Sequence, residues 1–156
     1  MAAQIIVATP EGDRTLLAAT SKELKEYGWE APCGNLPAAY LTGFLLGGKA
    51  KTRQIENSIL DMGLKGATRG ARTFAVLKGV LDAEVEVPHG EAVLPDDARI
   101  RGSHIAAYAE TLAQAEVGAY EQRFATYLAV GVRPEKLPEH FQQVKTNVLE
   151  RLKAGN

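Results

Sequence analysis

Asn35-Leu-Pro-Ala-Ala-Tyr-Leu-Thr-Gly-Phe-Leu-Leu-Gly-Gly-Lys-Ala-Lys51 is the stretch on which the fold turns, because it reads in two ways. Residues Gly43 to Lys49 satisfy the opening positions of a phosphate-binding loop, glycine followed after four residues by Gly-Lys. Three features oppose that reading. The next residue, Ala50, has no hydroxyl for Mg²⁺; Phe44, Leu45 and Leu46 belong in a core; and no strand leads directly into the motif. As a helix the stretch is self-consistent. Asn35 and Pro37 open it, Leu41, Phe44 and Leu45 recur at helical spacing, and its Ala and Gly residues permit close packing. The helix is therefore predicted to run to about Lys51, with its glycines serving contact between helices.

Outward from this helix the chain alternates between element types. On its N-terminal side, Gln4–Ala8 and Thr15–Ala19 are rich in β-formers and flank a Pro10–Asp13 turn, which predicts a hairpin. Thr20 with Glu23 reads as a capping box for a short helix that Gly28 stops. On the C-terminal side, Ser58–Met62 reads as a short buried strand. A glycine-rich turn follows, then a helix over about Arg72–Asp82 and a strand at Val85–Val87. After Pro88-His89-Gly90 the pattern becomes helical, over about Ile100–Leu112, Tyr120–Val130 and Glu139–Lys153. The fold class is α/β: a mixed β-sheet packed with helices, residues 1–93, plus a helical C-terminal extension, residues 94–156.

At 156 residues, with 46% hydrophobic and 24% charged residues, the chain suits a globular protein with a substantial core. The single cysteine, Cys33, fits a reducing cytoplasm. No apolar run approaches the roughly 20 residues of a membrane span, so no membrane partner is expected. Charge is unevenly spread. Between Lys49 and Lys78 stand Lys49, Lys51, Arg53, Lys65, Arg69, Arg72 and Lys78 against Glu56 and Asp61, a net +5 in a chain whose total is −1. A phosphate backbone would require such a concentration of positive charge; a solvated basic face would show the same count.

Within that region, Gly63-Leu-Lys-Gly-Ala-Thr-Arg-Gly-Ala-Arg72 offers backbone that a phosphate can approach, leading into a helix N-terminus. Lys65, Arg69 and Arg72 would neutralise phosphates and Thr68 would donate a hydroxyl; the alternative is a tight connection surrounded by solvated cations. Few aromatic residues are available to stack on bases, which favours backbone and shape recognition of folded RNA over the reading of single strands. Arg99 and Arg101 form a second basic island. Tyr120, Phe124, Tyr127 and Leu128 form an apolar stripe, which serves either internal packing or docking of another protein.

Chemistry is hard to find in this chain. His89, His104 and His140 are scattered, and Cys33 has no partner at zinc-ligand spacing. His89 near Asp61 is the nearest approach to an acid–base pair, yet nothing supplies a nucleophile or an oxyanion site. No enzyme, metal or cofactor is expected.

Several segments resemble the archaeal/eukaryotic-type branch of universal large-subunit ribosomal protein eighteen, a 5S rRNA-binding family. They include Tyr27-Gly-Trp29, Asn35–Gly43, Ile59–Gly63, Thr68–Gly79, Pro88–Glu91, Arg99–Ile105 and Val130–Phe141, so the likeness spans nearly the whole chain. The resemblance implies a non-enzymatic protein of the cytoplasmic ribosome that holds 5S rRNA in the central protuberance. It also implies contacts to the large-subunit rRNA and neighbouring large-subunit ribosomal proteins. Lys65, Thr68, Arg69 and Arg72 match the family's basic turn; Lys49, Lys51, Arg53 and Lys78 are expected on the same face. Family members usually begin with a basic arm and an additional strand. Met1 stands where an internal residue would, so the arm is expected to be missing from this chain and one sheet edge to be unpaired.

Overall fold

The computed structural model describes residues 1–154 and has the expected α/β architecture. β1 (Ala2–Val7) and β2 (Arg14–Thr20) form an antiparallel hairpin, in register from Ala2 opposite Thr20 to Val7 opposite Arg14, with an irregularity at Ile5/Ile6. Glu23 then opens a 3-10 turn (Glu23–Tyr27), its carboxylate accepting from the Thr20 N–H at 2.8 Å. Gly28 closes that turn in the left-handed region, at φ 92°. Among the described residues seven helices follow: α1 (Leu36–Thr52), α2 (Arg72–Asp82), α3 (Asp97–Arg101), α4 (Ser103–Ala115), α5 (Val117–Arg123), α6 (Ala125–Ala129) and α7 (Leu137–Ala154).

α1 is the axis of the molecule. The Asn35 side chain caps it by accepting from the Ala38 N–H at 2.9 Å, and Pro37 fits the first turn, where no intrahelical N–H is needed. Thirteen of its 17 residues are buried, so it is covered on all sides instead of presenting one apolar stripe. The phosphate-loop-like glycines serve this packing. A Cβ on Gly43 would collide with the Val76 backbone of α2, one on Gly47 would meet Ala83 at 2.6 Å, and one on Gly48 would strike Leu152 of α7. From the other side, a Cβ on Gly79 of α2 would collide with the Tyr40 carbonyl. Helices α1 and α2 therefore cross with backbones in direct contact.

The hairpin's two edges are treated differently. Along β2 the carbonyls of Leu16 and Ala18 alternate with groups turned toward β1. They accept from Arg53 Nη1 at 2.8 Å and Lys49 Nζ at 3.0 Å, both from the end of α1. Lys49 also pairs with Glu23 at 2.6 Å. Burial alone would raise the Glu23 pKa, but Lys49 and the Thr20 N–H outweigh it and hold the carboxyl below its ordinary value. β1 has β2 on one side and no other strand among the described residues on the other.

Four expectations fail. Ser58–Met62 is not a strand: one parallel bridge, Asn57 to Glu86, is all the pairing in this region, and Ile59 is 88% exposed. Val85–Val87 likewise contributes only Glu86 to that bridge, although Val85 and Val87 are buried. Neither segment has a neighbour long enough to form a ladder. The helix expected over Ile100–Leu112 is divided by Gly102, at φ 84°, into α3 and α4. A Cβ on Gly102 would stand 2.8 Å from Leu137, so the break seats the first residue of α7. The helix expected over Tyr120–Val130 is divided at Phe124, which is buried and packs against Tyr108, Tyr120 and Tyr127. Tyr127 in turn accepts a hydrogen bond from Asn35 at 3.1 Å, joining the apolar stripe to the start of α1.

α7 ties the two ends of the chain together. Asn147 donates to the Tyr27 carbonyl at 2.9 Å and Arg151 to that of Glu26 at 2.9 Å. Lys145 donates to the Tyr40 hydroxyl at 2.6 Å, and Tyr40 donates to Asp82 at 2.6 Å. Burial, reinforced by Asp82, pushes the Tyr40 phenol above its ordinary range, and burial lowers the Lys145 pKa. His140 stacks on the buried Trp29 at 5.1 Å between ring centroids and accepts from the Glu30 N–H at 3.2 Å through Nε2.

Burial holds His140 below the usual histidine range against the opposing pull of Glu30; His104 is lowered by burial and Arg99 against Asp96. A depressed folded value means that the unfolded chain takes up the proton first. The stabilisation is then complete above about pH 6.5 and is lost as pH falls through the folded values. Thermal unfolding between pH 7 and pH 5 should show a falling midpoint. His140→Gln should flatten part of that fall and a double change with His104→Gln more; an undiminished slope in the double variant would contradict the assignment.

Candidate nucleic-acid interface

Residues 57–71 form a long loop held at both ends. At one end the Ser58 N–H donates to the Glu86 carbonyl at 2.9 Å, and the Glu86 N–H to that of Glu56 at 2.8 Å. At the other, the Gly70 N–H donates to the Val93 carbonyl at 2.9 Å. Between them, Asp61 accepts from the Gly63 N–H at 2.7 Å, a side-chain turn that Gly63 completes at φ 56°. Thr68 makes the last turn, its carbonyl accepting from the Ala71 N–H at 3.0 Å. α2 then begins without a side-chain cap, so its first amides and the positive end of its dipole are left for solvent or a ligand.

The ten basic and hydroxyl residues singled out in the sequence separate into groups. Lys65, Thr68 and Arg69 come together on this loop, all exposed, and none has a side-chain hydrogen bond or ion pair among the described residues. Arg72 sits where the loop enters α2; its Nη1 donates to the Gly34 carbonyl at 2.7 Å, which leaves the guanidinium charge uncompensated. Lys49 and Arg53 seal β2. Lys51 is paired with Glu84, and Lys78 with Asp82 at 2.9 Å. Arg99 and Arg101 are exposed on α3. Their helix, α3, packs against α1, α4 and α7.

Much of the +5 counted in sequence is thus compensated by acids outside the counted stretch; of the cations left without an acid, Arg53 stays at β2, and Lys65, Arg69 and Arg72 lie on the loop and the N-terminus of α2. His89 and Asp61 do not form an acid–base pair: His89 Nδ1 lies 2.7 Å from the Val87 carbonyl and Asp61 is engaged by Gly63.

Sequence reading missed the apolar side of the loop. Leu60 and Met62 pack against the core, whereas Ile59 and Leu64 stand in solvent. Leu60 and Met62 share the parity of one face of an extended segment, and the Asp61–Gly63 turn takes Leu64 off that face.

The arrangement offers free cations, approachable backbone and a helix N-terminus to a ligand, and it lies in the half of the chain that a known family covers. A family model described as ribosomal large subunit proteins 60S L5 and 50S L18 matches residues 1–58 and 49–90, more than half of the chain. The chain therefore belongs to the family of ribosomal large subunit proteins 60S L5 and 50S L18.

Proposed function

We propose that this protein is a non-enzymatic constituent of the large subunit of the cytoplasmic ribosome, that it binds 5S rRNA, and that it helps attach that RNA in the central protuberance. Large-subunit rRNA and neighbouring large-subunit proteins are its further partners. Residues 1–93 carry the RNA-binding surface, and residues 94–156 form an extension that braces it. The observation that carries this reading is the convergence of Lys65, Arg69 and the Arg72 guanidinium at the uncapped start of α2, with no acid paired to any of them among the described residues.

Phosphate contacts made by such a surface release counterions, so affinity falls steeply with salt. Titration of 5S rRNA at several salt concentrations tests this. Lys65→Ala with Arg69→Ala should weaken binding roughly ten-fold or more near 0.1 M salt and reduce the salt slope by about 1 to 2. Wild-type affinity and slope in the double variant would remove the loop from the function. Salt-insensitive binding to a protein partner, with none to RNA, would favour an adaptor working through the C-terminal helices.

A further inference from the structure

Ile59 and Leu64 are the most exposed large apolar side chains described, at 88% and 107% of full exposure, while the next, Ile6 and Tyr108, reach 50%. The exposure follows from how the loop is built. Leu60 and Met62 anchor it to the core, and the Asp61–Gly63 turn reverses the chain so that Leu64 projects away from the body. Isolated apolar residues on a surface carry no message, but these two lie five residues apart in the loop that also holds the unpaired Lys65 and Arg69.

Charge decides what covers them. The loop carries Lys65 and Arg69 against one acid, Asp61, and leads into Arg72, so its charge is net positive and a ligand meets two free cations beside two apolar side chains. The backbone between the cations is also open: a Cβ on Gly66 would meet nothing within 4 Å. An anionic partner with apolar faces close to its charges satisfies all of this. Folded RNA has such faces, in the ribose rims of its wide, shallow minor groove and in bases exposed at bulges. Apolar side chains are used as wedges in nucleic-acid grooves elsewhere.

We propose that Ile59 and Leu64 form the non-electrostatic half of the RNA site, pressing on ribose or exposed base faces of rRNA while Lys65 and Arg69 hold adjacent phosphates. The proposal rests on the rRNA-binding reading above and adds a contact that is insensitive to salt. Ile59→Ser with Leu64→Ser should weaken binding to 5S rRNA or to a large-subunit rRNA transcript roughly ten-fold at every salt concentration, with an unchanged slope. The basic double variant should instead change the slope. Thermal unfolding of the apolar variant should match wild type, since both side chains are exposed. Wild-type affinity of the apolar variant for both RNAs overturns the wedge while leaving the cation reading intact. If the basic variant also binds normally, both readings fall. Normal RNA binding with impaired incorporation into large subunits would overturn the proposal by assigning the pair to a protein neighbour.

Discussion

Gly43→Ala and Gly79→Ala are each expected to destabilise the protein by about 3 kcal/mol, near the upper end of the usual cost of overpacking a core. In an exposed helix the same change stabilises by about 1 kcal/mol, because alanine is the better helix former. Here the sign reverses. The added methyl at position 43 meets the Val76 carbonyl, and that at position 79 meets the Tyr40 carbonyl and the Phe44 amide. These are backbone atoms, which cannot rotate aside as a side-chain terminus can. The α1–α2 crossing would have to open, and with it the packing of Phe44, Phe74 and Leu77, all buried. Urea unfolding followed by circular dichroism measures the loss. Gly34→Ala is the internal control, since its Cβ would meet nothing within 4 Å, and it should stay within about 0.5 kcal/mol of wild type. A stabilised Gly43→Ala protein would show that the helices do not cross this closely.

Trp29→Ala is expected to be as damaging, at about 3 to 5 kcal/mol. The indole is fully buried where the 3-10 turn after β2 meets α7, with His140 stacked on one face. Its removal would leave a cavity bounded by elements from opposite ends of the chain, which cannot collapse without moving one of them. The indole N–H has no protein hydrogen-bond partner among the described residues. Trp29→Phe discards that donor while keeping an aromatic ring for His140, and should cost less than half as much as alanine. Equal losses in the two variants would show that the indole fills no essential space.

Local signals carried the hairpin, the Asn35 cap, α1 and α2 from sequence to structure, because each is decided within a few residues. Ser58–Met62 misled because a short apolar run reports that side chains turn inward, not whether a second strand is present to accept the backbone. The break at Gly102 answers to α7, and that at Phe124 to a cluster that includes Tyr108 of α4, so each depends on a residue beyond its own helix. The basic surface was legible as a charge count and illegible as a site. Which cations are paired with an acid and which only tied to a carbonyl depends on Glu23, Glu84 and the Leu16 and Gly34 carbonyls, all 26 or more residues away from the cations they engage. Lys78, by contrast, finds its acid locally, four residues on.

α7 also sets a schedule. It supplies the contacts that close over Trp29, Tyr27 and Tyr40, and every residue before 137 leaves the translating ribosome ahead of it. Until α7 arrives, α1 has no cover on that flank and Tyr40 and Phe141 cannot meet. Sequence separations of 105 to 125 residues make this closure a late event in folding. A newborn chain therefore presents a finished hairpin and an unfinished core, and its dependence on chaperones should be greatest in that interval.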